Sequence, residues 1–310
     1  MSLNLELWRM RFQEYMELRG WTSRTVESYA SELRPFFEFL ESQAIESLGC
    51  VTRETVQEYR THLFYVQYRD RRISTSTQCS RLTRIKSFLR FLAREHFLLT
   101  DPAAQVELPC VPRRIPRTLL SERETLILLE APDTTTPLGI RDRSILELLY
   151  CTAIRNTELR RLSLDDIDTE QRVLRIVCGK GNKSRVVPLG EEAIVWLEEY
   201  LVHGRPRLVR RTSTTVFLTW RGKPFSRGSL SRVVRQAARA ARLKKAVTPH
   251  VLRHCCATHM LRRGANIRHL QELLGHESAA TTQRYTKVEI SDLHRVLERC
   301  HPRERRQTIP

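Results

Sequence analysis

No run of apolar residues in this chain approaches the roughly 20 that a membrane-spanning helix requires. The N-terminus, Met1-Ser2-Leu3-Asn4-Leu5-Glu6, has none of the basic-then-apolar layout of a secretory signal. The expected location is therefore the cytosol, on the nucleoid if the source is a bacterium. Cys-x-x-Cys pairs are missing. The eight cysteines stand at 50, 79, 110, 151, 178, 255, 256 and 300, a scatter that matches neither a disulfide framework nor a zinc site. They are expected to be reduced thiols that act mostly as small core residues. A Gly-x-x-x-x-Gly-Lys-Ser/Thr loop and a carboxylate cluster suited to Mg²⁺ are lacking too, so neither ATP nor a metal is expected as a cofactor. No internal repeat is visible.

The composition that remains is that of an ordinary folded chain: 310 residues, 41% apolar and 28% charged, long enough for two domains. The formal charge of +18 is unevenly spread. Residues 1–110 hold 15 Lys/Arg against 14 Asp/Glu, whereas residues 111–310 hold 38 against 21. A basic surface of that size attracts polyanions, of which nucleic acid is the commonest. It names a class of partner and no chemistry.

The first hundred residues read as helices. From Thr22, the residues Val26, Tyr29, Leu33, Phe36, Phe37 and Leu40 recur at threes and fours on one stripe. A second stretch begins near Thr52, with Val56, Tyr59, Leu63 and Phe64 inward, and a third spans about 76–96, with Leu82, Ile85, Leu89 and Leu92 inward. Arg81, Arg84, Lys86 and Arg90 ride on this third helix and break an otherwise neutral region, which points to contacts with phosphates. After Asp101-Pro102 comes Pro109-Cys110-Val111-Pro112-Arg113-Arg114-Ile115-Pro116-Arg117. Proline at that density excludes helix and favours an extended strap. It suits either a segment that follows a DNA backbone through Arg113, Arg114 and Arg117 or a plain linker. The expected organisation is a helical domain over 1–108, a Pro/Arg-rich linker over 109–118 and a second domain over 119–310.

The second domain mixes element types. Helical patterns cover about 121–131, 139–151, 156–162, 191–202, 229–242, 249–263, 266–274 and 279–284. Between them, Val173-Leu174-Arg175-Ile176-Val177 and Arg185-Val186-Val187 flank Gly179-Lys180-Gly181-Asn182, which reads as a β-hairpin with Lys180 near its tip. Residues 215–220 suggest one more short strand.

Several segments hold reactive groups. Thr248 is a good N-cap and Pro249 a good first helical residue, so His250 and Arg253 share a face in the first turns of a helix. Exposed N–H groups and the helix dipole make such a terminus a natural phosphate site. Leu273-Leu274-Gly275-His276 ends another helix, with Gly275 as C-cap. Tyr285 follows nine residues later, and Arg155 stands at a helix start in Cys151-Thr152-Ala153-Ile154-Arg155-Asn156-Thr157-Glu158-Leu159. Taken singly, each fits a surface charge or an edge tyrosine.

Together these segments resemble the tyrosine recombinase (lambda-type integrase) family, and within it the Xer-like recombinases. The matching positions, in the family's order and spacing, are Arg155 in the Thr-x-x-Arg-x-x-Glu-Leu segment, Lys180 in Gly-Lys-Gly-Asn-Lys, His250, Arg253 and His254 in His-x-x-Arg-His, His276 in Leu-Gly-His, and Tyr285 in Thr-Thr-x-x-Tyr-Thr. The likeness extends over nearly the whole chain, to His301-Pro302-Arg303. Lys183 rivals Lys180, which the Gly-Lys-Gly match favours. One departure stands out: Ala153 occupies a position that is usually glycine, the residue that tolerates φ > 0.

The resemblance implies a mainly α fold, with a SAM-like helical N-terminal DNA-binding domain and a mixed α/β catalytic domain carrying a small antiparallel sheet. It implies a DNA strand transferase in which Arg155 and Arg253 clamp the scissile phosphate and His250 and His276 supply hydrogen bonds and proton handling. Lys180 then protonates the leaving 5′-oxygen, and Tyr285 becomes linked to a 3′-phosphate. The implied partners are double-stranded DNA with an inverted-repeat site and further recombinase copies, homologous or identical. These assemble into a tetramer by exchanging the C-terminal helix Ile290–Leu297, anchored by Leu293 and Val296 or Leu297. A type IB topoisomerase shares a similar Arg/Lys/His/Tyr set and is the alternative. Whether the role is chromosome or plasmid dimer resolution or mobile-element integration and excision is open at this point, as is the DNA target.

Overall fold

The computed structural model describes residues 3–68, 70–111, 119–177, 184–275 and 287–304. The chain divides into two compact units, Met1–Ile115 and Pro116–Pro310.

In the first unit, four helices are built on strong local signals. They are α1 (Leu3–Leu18), α2 (Ser23–Ser42), α3 (Arg53–Tyr65) and α4 (Thr75–Arg94). Thr22, Thr52 and Ser74 each cap a helix by accepting an N–H from the third residue on. Leu5, Trp8, Phe12 and Met16 form the buried stripe of α1, and they meet Phe36, Phe37, Tyr59, Phe88 and Phe91 in an aromatic-rich core. Its rings pack edge-on, as in Phe12 to Phe88 at 5.3 Å and Phe36 to Tyr59 at 5.0 Å between centroids. A two-residue ladder, β1 (Gln67–Tyr68) with β2 (Arg71–Arg72), joins α3 to α4. Sequence periodicity did not anticipate that ladder or the individual span of α1.

The second unit is arranged around α6 (Pro137–Cys151), whose Ile145, Leu146, Leu148, Leu149 and Tyr150 are all buried. A helix buried on almost every side, its Arg141, Arg143 and Glu147 included, is a central one, and α5 (Glu122–Glu130), α8 (Glu191–Glu199) and α10 (Pro249–Arg262) pack on it. The remaining helices are α7 (Asn156–Arg161), α9 (Arg227–Ala240), α11 (Ile267–Leu274) and α12 (Lys287–Cys300). A three-stranded antiparallel sheet runs in the order β3 (Ile167–Asp168), β4 (Val173–Ile176), β5 (Arg185–Pro188), with Val173 opposite Pro188 and Ile176 opposite Arg185. The hairpin strands are those expected, and the turn at 178–183 lies outside the described residues, as does the helical pattern at 279–284.

The strand expected at 215–220 does not form. Only isolated bridges occur there, Ser163 with Thr215 and Leu218 with Pro224. Side chains take the backbone groups a partner strand would have used. Arg205 donates to the carbonyls of Ser213, Thr215 and Val216, while the Tyr200 hydroxyl donates to Val216 O and accepts from Leu218 N. The third strand of the sheet comes instead from Ile167–Asp168.

The last described residues, His301 to Glu304, are pinned back onto α6. Arg303 donates to both oxygens of the buried Glu147 (3.2 and 2.7 Å) and to Glu192. His301 accepts the Arg303 N–H at Nδ1, so Nε2 carries the proton and donates to Tyr150 O. Burial, outweighing the Tyr150 bond, pushes His301 down to about 3. Cys151, His301 and Glu304 offer ligand-type atoms within 4.8 Å of one another, but both ring nitrogens of His301 are engaged, and the Cys151 sulfur accepts the Gly190 N–H. This cluster locks the tail. The cysteines among the described residues are free; Cys151, Cys255, Cys256 and Cys300 are buried, as expected of core thiols, whereas Cys50 and Cys110 are exposed and Cys79 is half-buried.

Candidate active site

Three helix ends and one strand of the second unit converge. Thr248 caps α10 by accepting the Val251 N–H, with Pro249 in the first position. His250 is exposed in that first turn, while Arg253, one turn on, is buried. The guanidinium of Arg253 reaches from α10 to the carbonyls of Ala153 and Leu274. Burial, with Arg155 and Arg185 beside it, brings Arg253 down to about 10, so it stays charged at neutral pH.

Arg155 is the residue just before α7, in extended conformation. Its N–H is taken by Glu158 Oε2 at 2.7 Å, the acidic half of a capping box. Its side chain donates to Glu158 Oε1 (2.8 Å) and to Gly275 O (2.8 Å). Gly275 closes α11 at φ 57°, ψ 48°, the left-handed cap its position predicted. The orphan carbonyls at the end of α11, Leu274 and Gly275, are thus taken by Arg253 and Arg155. His276 follows directly; His276, Lys180, Lys183 and Tyr285 lie outside the described residues.

Two residues that sequence reading passed over complete the cluster. Glu158 stands three residues after Arg155, in the same motif. Its carboxylate holds Arg155 and also Arg185, the first residue of β5, in a pair of 2.9 Å bonds. Burial opposes the charge on Glu158, but bonding to Arg185 and Arg155 outweighs it and brings the carboxyl down to about 2. The signal for Arg185 was present: strand alternation puts it on the same inward face as Val187, and a charge on a core face requires a partner. Ala153 proves to hold φ 49° while fully buried. Its departure from glycine is therefore tolerated in the very conformation for which glycine is suited.

Three guanidiniums against one carboxylate leave a net charge of two positives at the mouth of the α10 N-terminus. Each guanidinium has five N–H donors, and among the described residues Arg155 and Arg253 direct two apiece at the protein. Such a site suits a phosphate, which takes guanidinium donors in pairs. In the first unit, Arg81 lies 3.7 Å from Glu32, and Arg84 donates to Ser80 and Ser28 and stacks over Tyr29. Lys86 donates to the carbonyls of Ala104 and Val106. All three are half-buried. Arg113, Arg114 and Arg117 lie outside the described residues.

Comparison with known proteins gives the class to which this fold and phosphate-suited cluster belong. The domain described as the phage integrase family matches residues 118–291, and the phage integrase N-terminal SAM-like domain matches residues 8–97. The chain belongs to the phage integrase family of tyrosine recombinases. Its relatives include tyrosine recombinase XerC 2 of Ralstonia nicotianae, 37% identical over 290 residues (93% of this chain, 84% of that protein). Tyrosine recombinase XerD of Staphylococcus saprophyticus is 37% identical over 296 residues (94% of this chain, 98% of that protein). The fold is shared with lambda integrase (75–356) bound as a dimer to a COC′ core site, at TM-score 0.68, 20% identity, 93% of this chain and 100% of that one. It is shared also with XerH recombinase bound to palindromic difH, at TM-score 0.68, 21% identity, 90% and 82%.

Proposed function

We propose that this protein is a Xer-like site-specific recombinase that cuts and rejoins DNA through a covalent bond to Tyr285. The observation that carries the reading is the meeting of Arg155 and Arg253 at the end of α11, beside the N-terminus of α10, with positive charge in excess. A phosphodiester gathers negative charge on its non-bridging oxygens as it is attacked. Preorganised donors aimed at that charge are worth about 3–4 kcal/mol each.

In this reading the Tyr285 oxygen attacks the scissile phosphorus, forming a 3′-phosphotyrosyl bond as the bond to the 5′-oxygen breaks. Lys180 gives that oxygen its proton. His250 and His276 complete the hydrogen bonding to the phosphate and take up the proton that the Tyr285 hydroxyl gives up as it attacks. The covalent link keeps the energy of the broken bond, so the 5′-hydroxyl of a second strand reverses the step on a new partner without ATP. The relatives, recombinases by name over almost their full length, support recombination over simple relaxation. Residues 1–108 act as the core-binding DNA domain, 109–118 as a strap and 119–310 as the catalytic domain. Backbone contacts fall to Arg81, Arg84, Lys86, Arg113, Arg114 and Arg117. Four copies assemble on an inverted-repeat site, and α12, whose Leu293 and Leu297 are buried against its own chain here, passes to a neighbour. The site of action is the cytoplasm, on the nucleoid; among the described residues no helix is long and apolar enough to cross a membrane.

The test is capture of detergent-resistant protein–DNA adducts on fragmented host DNA, with sequencing and Tyr285→Phe beside the unaltered protein. Adducts at one or a few inverted-repeat sites, lost in the variant, are expected. Adducts without sequence preference would point to a topoisomerase, and adducts surviving Tyr285→Phe would remove the nucleophile.

A further inference from the structure

Arg185 has no part in the chemistry above, yet it touches three of the segments that supply it. It opens β5, the strand that follows the sequence segment holding Lys180. Its guanidinium forms parallel bonds to Glu158, Nη1 to Oε1 and Nη2 to Oε2, both 2.9 Å. Those same two oxygens hold Arg155, Oε1 its side chain and Oε2 its backbone N–H. The other edge of Arg185 lies against Gly275, where an added Cβ would come within 3.1–3.2 Å of its Nε, Cδ and Cζ. The Arg185 side chain is 6% exposed and that of Glu158 5%. Burying a full ion pair there costs more desolvation than an aliphatic pair of like volume would, so packing alone gives no reason for it.

We propose that Arg185 is a positioning residue for DNA strand cleavage, acting through the Glu158 carboxylate it shares with Arg155. Two effects follow from the geometry. With four bonds, the Glu158 carboxylate is fixed in plane and angle, and Arg155 is aimed by it. Without Arg185, the carboxylate would answer to Arg155 alone. The arginine and glutamate would then neutralise each other, and the cluster would drop from two surplus positive charges to one. Arg185 thus keeps the charge of Arg155 available to a phosphate. Its contact with Gly275 also seats the end of α11, which receives Arg155 and Arg253, against the hairpin strand. The inference rests on reading Arg155 as a phosphate clamp.

The test uses the full-length protein and a nicked duplex carrying the inverted-repeat site recovered by adduct sequencing, with covalent adduct formation followed as a first-order rate and non-covalent DNA affinity measured separately. Arg185→Met, close in volume and uncharged, should bind DNA within about twofold of the unaltered protein and cleave about 10²-fold more slowly, the scale of a small misplacement in an active site. Arg185→Lys restores the charge without the fork and should recover part of that rate. Combined with Arg155→Ala, Arg185→Met should slow cleavage by less than about threefold further, because residues acting through one another are not additive. On a duplex whose scissile phosphate is a methylphosphonate, which lacks the charge the arginines serve, Arg185→Met and the unaltered protein should react at similar rates.

Cleavage by Arg185→Met at the unaltered rate would overturn the proposal. So would a defect that multiplies with that of Arg155→Ala or that persists in full on the methylphosphonate, since a merely structural role gives those results. If Arg185→Met fails to fold, Arg185→Lys carries the same double-variant and methylphosphonate comparisons. If Arg155→Ala itself cleaves normally, the clamp reading falls, an outcome distinct from a failure of Arg185 alone.

Discussion

Ala153 occupies a backbone conformation that costs most side chains energy, and it does so with its carbonyl bonded to Arg253. The left-handed conformation costs about 1–2 kcal/mol for a residue with a Cβ. Glycine would relieve that cost but add about 0.5–1 kcal/mol of chain entropy and lose a buried methyl worth about 0.8 kcal/mol. These terms nearly cancel. Ala153→Gly is therefore expected to unfold in urea within about 1 kcal/mol of the unaltered protein and to keep its cleavage rate, whereas Ala153→Val, branched at Cβ, should lose more than about 2 kcal/mol. Glu158 makes a different prediction. Its carboxyl, held at about 2 in the folded protein against an ordinary value of 4.5, contributes stability that is present above pH 4.5 and is lost as pH falls towards 2. Glu158→Gln leaves Arg185 buried without a charged partner and should cost about 3 kcal/mol at pH 7. In urea titrations the difference between the two proteins should shrink steadily below pH 4.5; a constant difference would mean that the carboxylate charge is not what matters.

At the level of elements, the decisive contacts are made by helix ends. α10 offers its N-terminus, α11 its last carbonyls and α7 its capping box, and the arginines join them. The tail is joined by the same kind of end contact. His301 sits neutral between Arg303 N–H and Tyr150 O, at about 3 rather than the ordinary 6.5. The unfolded chain takes up that proton first, so the stability His301 contributes is full above pH 6.5 and declines as pH falls towards 3. His301→Asn should be less stable than the unaltered protein at pH 7.5, and its unfolding free energy should change less between pH 6.5 and 4. Arg303→Ala removes one of the two arginines facing the buried Glu147, the other being Arg143 at 2.9 Å, and should lower the melting temperature by several degrees, the effect of about 2–3 kcal/mol.

For the whole molecule, charge is the property that matters. The surplus of Lys and Arg over Asp and Glu lies almost wholly beyond residue 110, so DNA affinity should fall steeply with salt. Each phosphate contact contributes about 0.9 to the slope of log affinity against log salt. Replacing Arg113, Arg114 and Arg117 together by alanine should flatten that slope by up to about 2.7 if all three meet phosphates, measured by anisotropy between 50 and 200 mM salt; an unchanged slope would mark the segment as a plain linker.

Much of this was open to reading in the linear chain. The cap at Thr248, the stripes of α2 and α4, the two hairpin strands and the C-cap at Gly275 all follow from rules that act over a few residues, so order along the chain suffices to find them. The resemblance to the recombinase family, carried by motifs in order along the chain, marked Arg155, His250 and Arg253 as one set. Folding in three dimensions decided the rest. The 215–220 segment forms only isolated bridges, and Arg205 and Tyr200, near in sequence but on a different element, take backbone groups at Thr215, Val216 and Leu218. Arg185 joins Glu158 across 27 positions, and Arg155 reaches Gly275 across 120. Which charges share a carboxylate depends on distances of 3 Å in space. A sequence records neighbours along the chain, and those distances exist only once the core has closed.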